Sequence, residues 1–329
     1  MRGHGASWAA RLAVTASTLA VLVWLLGTGP FLDGLRAVDG GALAAATGLA
    51  ALTTVCCAWR WRIVARGLGV DLQLGTAVAA YYRSIFLNVT LPGGVVGDVH
   101  RGISHGRATS DVGRGLRAVA WERSAGQVVQ VVLTVAVLLL VPSPVRAVMP
   151  FVAVVLVAAA AGVLLAARVR PADGPSRSAR LRRAAARDLR DGLLAGRAWA
   201  AIALTTSLVV AGHAVTFLIA ARTAGETAPI SQLLPLALLV LLAAALPNVA
   251  GWGPREGVTA WAFAAAGLGA SQGVATAVAY GVMVFVASLP GAAVLVAAWL
   301  RPARSGPWPE RPLPGGLALL ARRDGTPDA

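Results

Sequence analysis

Three sets of opposite charges interrupt an otherwise apolar chain: Asp98 with Arg101, Glu122 beside Arg123, and Arg255 beside Glu256. An arginine at mid-membrane depth costs about 2.5–3.5 kcal/mol on insertion scales, so such a residue is normally paired or functional. Guanidinium groups suit phosphate in charge and geometry, and carboxylates hold guanidinium groups in place. Adjacent side chains on a helix do not face each other. Arg255 and Glu256 therefore each call for another partner, as do Glu122 and Arg123. On this reasoning Glu256 pairs with Arg123 or Arg101, while Arg255 pairs with Glu122 or Asp98 or is left for a phosphate. Two roles fit: recognition of an anionic ligand, or staples that hold the fold in register.

Two of these sets follow breaks in apolar sequence. The first is LPGGVVGDVHR from Leu91 to Arg101, the second LPNVAGWGPREG from Leu246 to Gly257. Unsatisfied backbone groups in hydrocarbon are costly, so a broken helix survives there only inside protein or beside a wet cavity. Pro92, Gly93 and Gly97 are expected to turn the first segment, and Pro247, Gly251 and Gly253 the second. Pro254 suits the first turn of the following helix, because its missing N–H would be an orphan there. Helix starts also present free N–H groups and a positive dipole end, which attract anions. Asn88, four residues before Pro92, bonds freed backbone or touches a ligand.

The elements that must position these residues are apolar. Of 329 residues, 57% are hydrophobic and 13% charged, with a mean hydropathy of +0.71, which describes a multi-pass membrane protein rather than a soluble domain. All 29 basic residues are arginine and the net charge is +15. They flank apolar segments, as cytoplasmic loops do, and nucleic-acid binding is not expected. Cys56 and Cys57 read as small core residues. No spacing suits a metal, and neither a metal nor a cofactor is expected.

A membrane helix needs about 20 apolar residues. Six stretches qualify: Leu12 to Gly29, Ala42 to Trp59, Ala118 to Val141, Ala147 to Ala167, Ala198 to Ala221 and Gly273 to Leu300. Leu72 to Val96 and Leu233 to Leu268 are apolar but broken. If both broken segments dip in and return, and both termini are cytoplasmic, 23 arginines lie inside and three outside, in keeping with the positive-inside rule. The expected fold is an all-α integral membrane protein with about six transmembrane helices plus two re-entrant helical hairpins in an inverted repeat. Residues 1–167 hold the first membrane repeat and part of its continuation, and 198–300 the second half. Between them, 168–197 is a basic linker, either solvated or lying on the anionic leaflet as an amphipathic helix. A disordered basic tail is expected over 301–329. Arg2 and Arg11 ahead of the first run resemble a signal peptide, but no small-x-small site follows, and the run reads as a retained helix.

Among lesser candidates, His213 reads as a core histidine, and Arg83 with Tyr81 and Tyr82 either lines a cavity or snorkels.

Asn88 with LPGGVVGDVHR, the pair Glu122–Arg123 and LPNVAGWGPREG, in that order among apolar spans, resemble the lysylphosphatidylglycerol synthase transmembrane region family of flippase-like proteins. The resemblance covers most of Leu12 to Leu300. It places Gly97, Asp98 and Arg101 at the end of the first motif, with Asp98 where the family usually has Glu. It places Leu246, Pro247, Gly251, Gly253, Arg255 and Glu256 on the second. It implies movement of phospholipid, aminoacyl-phospholipid or glycolipid between leaflets of the cell membrane. The bifunctional members add a soluble aminoacyl-transferring domain. Here about 30 residues follow the last span, so only the membrane half is expected to correspond.

The resulting expectation is a non-enzymatic flippase-like protein whose partner is a lipid with an anionic headgroup, and whose neighbours include a lipid-modifying enzyme or a glycosyltransferase. In this reading Arg101 and Arg255 neutralise phosphate while Asp98, Glu122 and Glu256 organise the arginines. Two alternatives remain. One is a scaffold or regulator of a cell-envelope enzyme; the other is a membrane-embedded lipid transferase that uses those carboxylates.

Overall fold

A computed structural model describes residues 16–91, 94–168, 188, 196–245 and 252–300. The expected turn residues Pro92, Gly93, Pro247 and Gly251 lie outside the described residues, as do nearly all of the linker and the whole tail. Residues 1–295 form one compact unit; of the second unit, 296–329, only the end of a helix is described.

The described helices are α1 (Ala16–Leu26), α2 (Gly29–Arg36), α3 (Gly40–Gly67), α4 (Leu74–Thr90), α5 (Val96–Ala108), α6 (Val112–Leu140), α7 (Met149–Arg168), α8 (Gly196–Thr223), α9 (Ile230–Ala243), α10 (Pro254–Ala265) and α11 (Ala270–Leu300). Four are long and apolar enough to cross a membrane: α3, α6, α8 and α11. They correspond to four of the six expected spans.

The described helices α1 and α7 fall on the other two expected spans. α1 lies within the first, and near that span's expected end at Gly29 the chain turns by 100° into α2, through Gly27 in the left-handed region (φ +74°). α1 lies over the second half, where Leu22 joins Ala260, Val274 and Val278 in one apolar cluster. The fourth coincides with α7, which runs 20 residues over Met149–Arg168. It leans on α6 through Met149, Val135 and Leu138 and leaves Phe151, Val154 and Val157 exposed. In a bilayer those side chains face acyl chains, which is why their exposure carries no penalty.

Both broken segments fold back on themselves. In a continuous helix Ser84 and Asp98 would stand about 21 Å apart, yet the Ser84 hydroxyl donates to Asp98 Oδ1 at 3.1 Å. The turn therefore reverses the chain, and α4 and α5 form a helical hairpin. Gly97 permits the close approach: a Cβ there would sit 2.1 Å from the Ser84 carbonyl oxygen. This corrects the expected role of Gly97, which lies inside α5 and serves packing rather than the turn. In the second hairpin the Gln232 amide, near the start of α9, donates to the Ala266 carbonyl just past α10 at 2.9 Å. The order long helix, hairpin, long helix thus occurs twice, as α3, α4–α5, α6 and as α8, α9–α10, α11.

Helix starts have identifiable caps. Asp39 accepts from the Ala42 N–H at 2.7 Å, and Asp111 from the Arg114 N–H at 2.8 Å. Pro254 occupies the first turn of α10, as its chemistry suggests, and Gly253 before it has φ +121°, a value that favours glycine.

Candidate functional site

The first hairpin and its neighbours bury an ionic network. Glu122, on α6, is fully buried. Its Oε1 accepts from Arg60 Nε at 2.8 Å and from the Tyr81 hydroxyl at 2.9 Å, and its Oε2 accepts from Arg101 Nη2 at 2.6 Å. One carboxylate thereby joins α3, α4, α5 and α6. Asp98, in the first turn of α5, accepts from Arg101 Nε at 3.0 Å and from Arg123 Nη2 at 2.9 Å, and its place near a helix N-terminus favours the negative charge. The Asn88 amide donates to Asp98 Oδ2 at 3.1 Å and its oxygen accepts the Gly97 N–H at 2.8 Å. Asn88 therefore ties the end of α4 to the start of α5, the backbone-bonding role open to it in the sequence.

The second hairpin is arranged differently. Glu256 folds back over the start of α10, where its Oε2 accepts the Gly253 N–H at 2.7 Å. Its other oxygen is then turned toward the helix end, and Arg255 Nε donates to it at 2.9 Å. The two sequence neighbours pair with each other. This overturns the expectation that Glu256 pairs with Arg123 or Arg101 and Arg255 with Glu122 or Asp98. The rule against i, i+1 contacts holds for side chains around a regular helix; in the first turn a capping carboxylate bends back along the axis and comes within reach of a long arginine. The Arg255 guanidinium also lies near the rings of Tyr280, at 5.3 Å, and Trp252, at 5.8 Å.

Arg101 differs from its expected phosphate-binding position. It is fully buried, with its Cζ 4.2 Å from the Tyr81 ring and 4.7 Å from the Trp61 ring. It belongs to the internal network. Arg60 stands just past the expected span Ala42 to Trp59, which would make it one of the arginines counted inside, yet α3 continues to Gly67 and buries it against Glu122. A tally of arginines cannot see that a carboxylate 62 residues away balances this one.

Both hairpin tips border one cavity of about 630 Å³. The first contributes Asn88 and Gly94, and the second Ala245, Trp252 and Arg255. Arg60, Arg123, Gln127 and Gln130 line it from the long helices, with His213 and Tyr280 across from them in sequence. Arg123 keeps 47% of its side chain exposed there. His213 Nδ1 lies 3.3 Å from the Tyr280 hydroxyl. Arg83 does not line this cavity. Glycines make room for the guanidinium groups on both sides: a Cβ at Gly126 would sit 2.8 Å from Arg60 Cζ, and one at Gly281 2.6 Å from Arg255 Nη2.

Sequence reasoning missed Arg60, Gln127 and Gln130, whereas Tyr81, named there as a candidate cavity residue, does line the cavity. The two glutamines had a signal, since Arg123, Gln127 and Gln130 recur at i, i+4 and i+7 and so share one face of an otherwise apolar helix. Among the described residues no group of three or more His, Cys, Asp or Glu side chains suits a metal ion.

In a comparison with known families, the family model described as lysylphosphatidylglycerol synthase TM region matches residues 8–291. A comparison with curated proteins found no match.

Proposed function

The chain belongs to the lysylphosphatidylglycerol synthase transmembrane region family, and on that premise we propose that it is a flippase-like protein that moves a lipid with an anionic headgroup between leaflets. The observation that carries this reading is that both hairpin tips border one cavity and that Arg123 and Arg255 face into it. The cavity is large enough for a phosphorylated headgroup, while the acyl chains stay in the bilayer. In the network around it, the guanidinium groups of Arg60, Arg101, Arg123 and Arg255 outnumber the carboxylates of Asp98, Glu122 and Glu256 by one. A single phosphodiester would balance that excess.

The repeated order of long helix, hairpin and long helix supports an inverted repeat, in which the hairpins enter from opposite leaflets and six helices span, counting α1 and α7. Transporters often place a substrate site where broken helices meet at such a repeat interface. The positive-inside tally supports a plasma membrane protein with both termini cytoplasmic. A partner enzyme that modifies or glycosylates the same lipid fits this role.

Reconstitution into liposomes with a fluorescent phospholipid tests the proposal. Loss of inner-leaflet protection from dithionite is expected in protein-containing vesicles. It should fall at least tenfold in the double variant Arg123→Gln/Arg255→Gln, provided that variant elutes as folded protein. No movement of any lipid by the parent protein would overturn the reading. A transferase would instead change the mass of the lipid, and a scaffold would do neither.

A further inference from the structure

The cavity wall is chemically one-sided. Arg60, Arg123 and Arg255 line it, and among its described lining residues there is no aspartate or glutamate. The three nearby carboxylates are all committed behind the arginines: Glu122 to Arg60 and Arg101, Asp98 to Arg101 and Arg123, and Glu256 to Arg255 and the Gly253 N–H. Below Arg123 on the same face of α6, the amides of Gln127 and Gln130 line the cavity and make no hydrogen bond to other described residues. Each offers two donors and an acceptor.

We propose that this site selects a phosphodiester headgroup bearing uncharged hydroxyl groups, such as a phosphoglycerol or phosphosugar, and rejects headgroups carrying ammonium groups, including aminoacylated ones. The inference rests on the lipid-transport reading and narrows its substrate. A phosphate meets Arg123 and Arg255, and the hydroxyl groups meet Gln127 and Gln130. An amino group in the same place meets guanidinium charge with no carboxylate to offset it. Discrimination of this kind comes as much from the unpaired alternative as from the favoured contact.

The test separates this inference from transport itself. Binding of phosphatidylglycerol, lysyl-phosphatidylglycerol and phosphatidylethanolamine to the full-length protein in detergent is measured by native mass spectrometry, and their movement is measured in liposomes. Phosphatidylglycerol is expected to bind at least tenfold more tightly than either amine-bearing lipid. Equal or tighter binding of lysyl-phosphatidylglycerol would overturn the inference. Preferential binding without movement of any lipid would sustain the charge selection and overturn the flippase reading instead. Gln127→Glu, which adds a carboxylate to the wall, is expected to reduce the preference at least fivefold, and Gln130→Glu serves as the second variant if the first does not fold. An unchanged preference in a folded variant would place the selection elsewhere and overturn the assignment. Competition by soluble glycerol phosphate as strong as that by the lipid would mark a site for a free phosphate and overturn the lipid substrate.

Discussion

The two hairpins meet the same problem, charges beside a break between apolar helices, in different ways. The α4–α5 hairpin spreads its charges across four helices, with Glu122 at the junction of Arg60, Tyr81 and Arg101. The α9–α10 hairpin closes its charges locally, Glu256 capping its own helix and holding its sequence neighbour Arg255. The first arrangement couples the tip to the body of the protein. The second leaves its guanidinium attached to one helix end, with Gly281 opposite, so its position depends less on the rest of the fold.

Variants can break or sharpen this contrast. The largest effect is expected from Glu122→Ala, which takes from two buried guanidinium groups the carboxylate they share. Breaking a buried pair costs about 3–5 kcal/mol, and thermal melting in detergent should show it; a loss smaller than that of any second-hairpin variant would erase the distinction. Arg255→Gln is expected to cost about 1.5–3 kcal/mol, the usual range for a hydrogen bond to a charged group, because Glu256 keeps its bond to the Gly253 N–H. Smaller still is the coupling between Asp98 and Arg123. A double-mutant cycle should give about 0.5–1 kcal/mol, since the arginine is half exposed. The matching cycle between Glu256 and Arg123 should give none, and a measurable coupling there would revive the cross-hairpin pairing. Gln232→Leu is expected to cost about 1 kcal/mol by removing the bond to the Ala266 carbonyl. Hydrogen exchange should rise at the open end of the second hairpin and not at its tip.

How much of this was legible in the sequence varies by feature. The apolar runs of α3, α6, α8 and α11 announce themselves by length and composition, because a span's hydrophobicity is a property of its own residues. The two breaks were equally legible, since proline and glycine act on their own backbone. Pairing was not. Gly97 looked like a turn residue because a glycine needed for close approach leaves the same mark in sequence as one needed for a turn. Arg60 looked like a loop residue because its partner lies on another helix.

What the amino-acid order settled alone, then, was membrane character, helical content and the places where helices stop. These depend on each residue's cost in hydrocarbon and on local backbone chemistry. Only the tertiary structure decided which arginine faces the cavity and which is sealed behind it. Charge balance in a low-dielectric interior is set by distances of a few ångströms between segments far apart in the chain, and neither composition nor spacing encodes those distances.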